Sequence, residues 1–284
     1  MTALSSDKTL IVSVANRETA DRLLATAIDL ARQRSMRLGV IHVVEVPAQL
    51  PLSEGSALLE KDDDRRDMLD TVAQRCDEAG IEADTRLRYA RDVATGIVGA
   101  IPEYDAEGLL MGWRGRPRRR DVILGSFLDR VLAEAACDVF IKRIKRPPSH
   151  VDSILVPVAG GPHCELSVAL ADALARSHDA EVSLVHVIPE DASENRIEEA
   201  ASILNQHMEV FDTGVVTVEP STVSGDHVAG KITDLTARHD LTILGATRRG
   251  FLRRKLIGSV AEGVGRAATS QVIVTRSATE LTDT

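Results

Sequence analysis

Leu109-Leu110-Met111-Gly112-Trp113-Arg114-Gly115, then nine residues, then Gly125-Ser126: this stretch decides how the chain is read. The apolar run reads as a buried strand, Gly112 as the turn that ends it, and Gly125-Ser126 as the opening of a helix. Glycine lets backbone N–H groups approach an anion because no Cβ intervenes. A helix start adds unpaired N–H donors and the positive end of the helix dipole, which suits a phosphate. Ser126 can cap the helix or donate its hydroxyl to a phosphate oxygen. Taken alone, the same residues also make an ordinary turn and N-cap.

The stretch is not alone. Gly112 lies against Gly245, Gly125-Ser126 against Gly258-Ser259, and Val139-Phe140-Ile141 against Val272-Ile273-Val274. Upstream, residues 12–44 lie against 156–188 without a gap. Leu30-Ala31-Arg32 there meets Leu174-Ala175-Arg176, and Val40-Ile41-His42-Val43 meets Leu184-Val185-His186-Val187. The first copy is ten residues longer in the region after Val44. The seam is Lys142–His150, KRIKRPPSH, where Pro147-Pro148 can continue neither a helix nor a central strand. Two domains are expected, 1–146 and 147–284.

Each copy alternates short β-branched runs with helical periodicity. In the first, strands are expected at Leu10–Val14, Leu38–Val44, Thr85–Tyr89, Gly108–Met111 and Val139–Ile141. Helices are expected at Thr19–Arg34, Arg65–Ala79 (closed by Gly80), Val93–Ile101 and Ser126–Ala136. This order predicts an α/β fold with a parallel sheet, right-handed crossovers and helices on both faces. Ligands in such sheets bind beyond the carboxyl ends of the strands, near the topological switch point.

Composition narrows the function. Over 284 residues, 44% are hydrophobic but only 2% aromatic, so the core is aliphatic and offers few faces for stacking single-stranded nucleic acid. A net charge of −9 disfavours binding along a nucleic-acid duplex. Cys76, Cys137 and Cys164 are scattered, which points to neither a disulfide framework nor a zinc site. No secretory leader or long apolar span is evident, so a soluble, cytoplasmic protein away from membranes is expected.

At the glycine motif the chain resembles the universal stress protein family, in tandem form. Gly112, Gly115, Gly125 and Ser126 fit that family's G-x2-G-x9-G-[ST] pattern in full. The resemblance implies a five-stranded, parallel, Rossmann-like domain in each copy and, in many members, ATP binding. For the first copy it implies adenine near Val43 and Met111 and a triphosphate on Gly112, Gly115, Gly125 and Ser126. Arg114 belongs to the same loop. Family members that bind ATP usually carry Asp just after strand one, where this chain has Ala15, followed by Asn16, and Ala159 in the second copy. The corresponding second site comprises Val187, Leu244, Gly245, Arg248, Gly258 and Ser259, with Arg248 replacing a motif glycine. That cation fills the phosphate position or contacts a phosphate itself. The resemblance also implies pairing of domains through their last strands as an internal pseudo-dimer, leaving a further homodimer open.

Other motifs are weaker. Gly225–Ile232 nearly matches a P-loop, but Ile232 stands where Mg²⁺ binding needs Ser or Thr. Its first-copy counterpart, Arg91-Asp92-Val93-Ala94-Thr95-Gly96-Ile97, has no lysine. Gly263-Val264-Gly265 mimics a dinucleotide fingerprint inside a helix and reads as close helix packing. His42 and His186, at equivalent strand ends, read as structural imidazoles. His163-Cys164-Glu165 reads as a loop and helix start, and Asp62-Asp63-Asp64 as capping and solvation. Arginines at 114–120 and 248–254 flank both motif loops and raise the local anion concentration or meet an acidic partner.

Two functions remain. One is a stress-response protein binding ATP or a related adenine nucleotide, with Mg²⁺ as an accompanying ion, a degenerate second copy and slow hydrolysis at most. The other is a nucleotide-free tandem scaffold that docks on a partner protein.

Overall fold

The computed structural model describes residues 8–55, 63–113, 126–145, 150–246 and 258–278, which gather into two compact units. The first contains β1 (Thr9–Ser13), α1 (Arg17–Arg34), β2 (Arg37–Glu45), α2 (Asp63–Glu78), β3 (Ala83–Ala90), α3 (Val93–Glu103), β4 (Ala106–Trp113) and α4 (Ser126–Glu134). Then comes β5 (Asp138–Arg143), at whose Ile141 the second unit begins. That unit contains β6 (Ser153–Pro157), α5 (Pro162–His178), β7 (Glu181–Ile188), α6 (Glu194–Met208), β8 (Val218–Ser224), α7 (Val228–Leu235), β9 (Leu241–Gly245), α8 (Ser259–Ala267) and β10 (Gln271–Arg276). The seam at 146–149 lies outside the described residues.

Strand order in the first unit is β3-β2-β1-β4-β5, and in the second β8-β7-β6-β9-β10. β1 pairs in parallel with β2 and β4, and β6 with β7 and β9. Each unit therefore steps outward from its first strand to its third, then returns past the first to build the other side. The reversal falls between β1 and β4, and between β6 and β9. This is the Rossmann-like α/β arrangement that the alternating pattern predicts.

Burial explains why these segments became strands and helices. Leu10, Ile11 and Val12 of β1 are all but inaccessible, as expected of a parallel strand covered on both faces. α1 turns Leu23, Leu24, Ala27, Leu30 and Ala31 inward along one stripe. Its ends are defined by Asn16, whose side chain accepts the Thr19 N–H at 2.9 Å, and by Ser35 in the left-handed conformation. Gly80 (φ +71°) stands just past α2, where the sequence placed it.

The structure departs from the sequence reading at Gly112. β4 does not stop at Met111 but runs on to Trp113, so Gly112 is an extended strand residue rather than a turn. The alternation explains this, because Met111 and Trp113 share one buried face, and the indole is covered only if the chain stays extended. α3 likewise continues through Pro102 to Glu103. Among the described residues, no helix is long and apolar enough to cross a membrane.

Among the few aromatic rings, Tyr104 has a defined seat. Tyr104 lies against Gly39 of β2, where an added Cβ would stand 2.9 Å from two ring carbons. Its hydroxyl donates to Asp84 at 2.9 Å. Burial, with this bond to Asp84 adding to it, pushes the phenol up to about 12. Gly39→Ala is expected to destabilise the first unit by about 1–3 kcal/mol through overpacking. Urea unfolding should show that loss, and unchanged stability would mean that the ring moves freely.

Candidate functional site

The ladder between β1 and β2 ends one residue beyond β1, where the Val14 N–H donates to the Ile41 carbonyl at 3.0 Å. His42 then occupies the other polar group of Val14: its Nδ1 lies 2.9 Å from the Val14 carbonyl oxygen, so Nδ1 carries the proton. Residue parity along β2 is fixed by its flanking bonds. Arg37 N–H and the Ile41 carbonyl face β1, whereas Leu38 and Val46 N–H face β3. Val43 therefore turns its N–H and C=O toward the exit of β1, past the last rung. Its side chain is held from the other side: a Cβ on Gly96 of α3 would fall 2.6 Å from Val43 Cγ1.

This main-chain edge stands beside the switch point. Ser13 pairs with Met111, so the exit of β1 (Ala15, Asn16) and the end of β4 (Gly112) rise next to each other. Ala15 and Asn16 are exposed, Met111 is buried, and Gly112 is half-buried. The Asn16 side chain is engaged as the cap of α1, where its Oδ1 also accepts the Thr19 hydroxyl at 3.0 Å. α4 begins at Ser126, as the glycine-serine pair predicts. Arg114, Gly115 and Gly125 lie outside the described residues.

The second unit repeats the histidine device. His186 Nδ1 lies 2.8 Å from the Val158 carbonyl, and Val158 N–H donates to Val185, so Val187 is placed as Val43 is. Leu244 and Gly245 end β9, and Gly258 and Ser259 open α8; Arg248 lies outside the described residues. What differs is the space above the strands. A Cβ on Gly245 would meet the main chain of His163 at 2.9 Å. His163 is 4% exposed, and its Nδ1 accepts the Ser277 N–H at 2.9 Å. Its carbonyl accepts the hydroxyls of Ser167 and Thr275, both at 2.9 Å.

Cys164 completes the plug. Its Sγ takes the Ala159 N–H at 3.4 Å, and burial pushes the thiol above its usual range. The first turn of α5 thus fills the exits of β9 and β10 with the protein's own groups. In the sequence, His163-Cys164-Glu165 reads only as a loop and helix start. The available signal was that Thr19 of the first copy aligns with His163, a much larger group.

The remaining motifs resolve structurally. A Cβ on Gly263 would lie 3.1 Å from Ala229, which is the close packing of α8 on α7. Asp63 and Asp64 lie in the first turn of α2. Among the described residues, no group of three or more His, Cys, Asp or Glu is placed to hold a metal ion. The basic residues at 114–120 and 248–255 lie outside the described residues.

Doubled Rossmann-like units with small residues at their strand exits define a class of α/β proteins. The particular family follows from comparison with known proteins. The model of the universal stress protein family matches residues 8–143 and again 150–276, and the chain belongs to that family as a tandem member. Universal stress protein Rv2623 of Mycobacterium tuberculosis is 25% identical over 297 residues, covering 97% of this chain and 99% of its own. The Na(+)/H(+) antiporter NhaS5 of Synechocystis is 24% identical over 276 residues, and this chain spans only 38% of its length. A universal stress protein structure from Archaeoglobus fulgidus superposes with a TM-score of 0.69 at 19% identity, covering 96% of this chain and 97% of its own. At that identity the likeness speaks for the fold.

Replacing the imidazole by an apolar group strands a buried carbonyl. His42→Leu should therefore cost about 1–3 kcal/mol of stability, read by chemical denaturation. A neutral result would show that Val14 finds another donor.

Proposed function

We propose that the first copy of this universal stress protein binds ATP or a related adenine nucleotide as a regulatory ligand in the cytoplasm, and that the second copy is degenerate. The observation that carries this reading is the open main-chain edge of Val43. A donor and an acceptor side by side match the hydrogen-bonding edge of adenine, and they face the crevice at the switch point. Met111 contributes an apolar wall. Gly112, Gly115, Gly125 and Ser126 receive the phosphates, and Arg114 adds positive charge beside them.

Ala15 supplies no carboxylate to the ribose, and Asn16 is occupied as a cap. Affinity therefore rests on the adenine edge and the phosphate cradle. Mg²⁺, where it accompanies the nucleotide, takes its ligands from phosphate oxygens and water, as this ion commonly does. Hydrolysis is slow at most: Asp92, the carboxylate just past β3, is engaged as the cap of α3 and the partner of Arg130.

The scaffold reading keeps one specific support. In the second unit the possible contacts of Val187, Leu244, Gly245, Arg248, Gly258 and Ser259 with a ligand compete with the His163 plug, which favours a structural or docking role for that half.

Calorimetric titration of the full chain with ATP tests the proposal, using Gly115→Arg to copy the second copy's Arg248. Saturable binding by the wild type and a loss of at least about tenfold, or 1.4 kcal/mol, in the variant is expected. Equal, tight binding by both proteins would remove the assigned site. No binding by the wild type would favour the scaffold.

A further inference from the structure

Residues 91 and 92 form the short link between β3 and α3, and each reaches a different neighbouring element of the first copy. The Arg91 guanidinium donates to three carbonyls of the loop that leaves β2: Val46 at 3.3 Å, Pro47 at 2.6 Å and Leu50 at 2.8 Å. That loop opens the region in which the first copy exceeds the second, and it begins just past Val43. All three acceptors surround one nitrogen, Nη1, whose two hydrogens are shared among them, so a single cation gathers the carbonyls at both ends of the loop.

Asp92 works in the opposite direction. Its carboxylate caps α3 by accepting the Thr95 N–H at 2.8 Å and the Thr95 hydroxyl at 2.7 Å. Both of its oxygens also lie 3.1 Å from Arg130 Nη1 on α4. α4 is the helix that Ser126 opens.

The second copy lacks both arms. Gly225 stands in place of Arg91, and the Asp226 carboxylate accepts the Glu190 N–H at 3.3 Å. The α7 N-cap, His227, makes no side-chain cap bond. Gly263 aligns with Arg130 and packs against Ala229 instead. The arms are present where the glycine motif is complete and missing where the strand exits are plugged.

We propose that Arg91 and Asp92 are positioning residues for the two ends of the first-copy site. Arg91 holds the β2 exit loop beside the adenine edge, and Asp92, through Arg130, holds α4 beneath the phosphates. This rests on the nucleotide reading, and it predicts a separation that general loosening of the fold would not produce.

The test uses the full chain, with adenosine and inorganic tripolyphosphate as separate calorimetric probes and hydrogen-exchange mass spectrometry on the free protein. Arg91→Ala should weaken adenosine about fivefold, spare tripolyphosphate, and raise exchange at 46–50. Arg91→Lys should restore part of the adenosine affinity. Asp92→Asn keeps a capping side chain but loses the charge pair, which is exposed and therefore modest. It should weaken tripolyphosphate about threefold, spare adenosine, and raise exchange in 126–134. Equal weakening of both probes by either variant, or no change by both, overturns the assignment. A wild type that binds neither probe overturns the nucleotide reading, and exchange then decides this one: segment-specific increases support the two arms, and unchanged exchange removes them.

Discussion

A parallel strand pair must end somewhere, and its last polar groups then need partners. Here β1 and β2 end on the bond from Val14 N–H to the Ile41 carbonyl, and His42 takes the Val14 carbonyl for its own Nδ1. A buried carbonyl left alone would cost on the order of 1–3 kcal/mol, so the imidazole is a structural necessity at this place. It also has a consequence for ligands. Once Val14 is satisfied, Val43 keeps its N–H and C=O directed at the crevice, beyond the end of the neighbouring strand. The same substitution of side chain for backbone occurs at His186 and Val158.

From that shared start the two copies diverge through small changes in side-chain volume. In the first, Thr19 folds back on its own cap, and Ala15 and Asn16 remain exposed. In the second, His163 at the aligned position reaches across to Ser277 and brings Cys164 beneath Ala159. The Gly245 position tolerates this only because it lacks a Cβ. A glycine suited to an approaching phosphate is here approached by protein main chain. Gly112, at the equivalent position of the first copy, is half-buried.

Much of this was legible beforehand. The repeat, the alternation of elements and the parallel sheet follow from apolar periodicity and from matched segments such as Val40–Val43 and Leu184–Val187. The histidines were legible as structural because both stand at the same strand end. Gly112 was misread as a turn, since a glycine after an apolar run carries no local sign that Trp113 will be buried on the same face as Met111. The plug at His163 was not legible either. Its partners Ser167, Thr275 and Ser277 are polar residues that acquire meaning only when α5 is laid against β10. Arg91 was visible only as part of a failed P-loop, because its three partners are backbone carbonyls, which no sequence pattern displays.

The measurement that bears most directly on the account is a crystal structure of the full chain soaked with millimolar ATP. The account predicts nucleotide density in the first unit alone, with adenine against the main chain of Val43, phosphates at the start of α4, and His163 still filling the second. A first-unit crevice closed by its own side chains, or nucleotide bound in the second unit with His163 displaced, would contradict it.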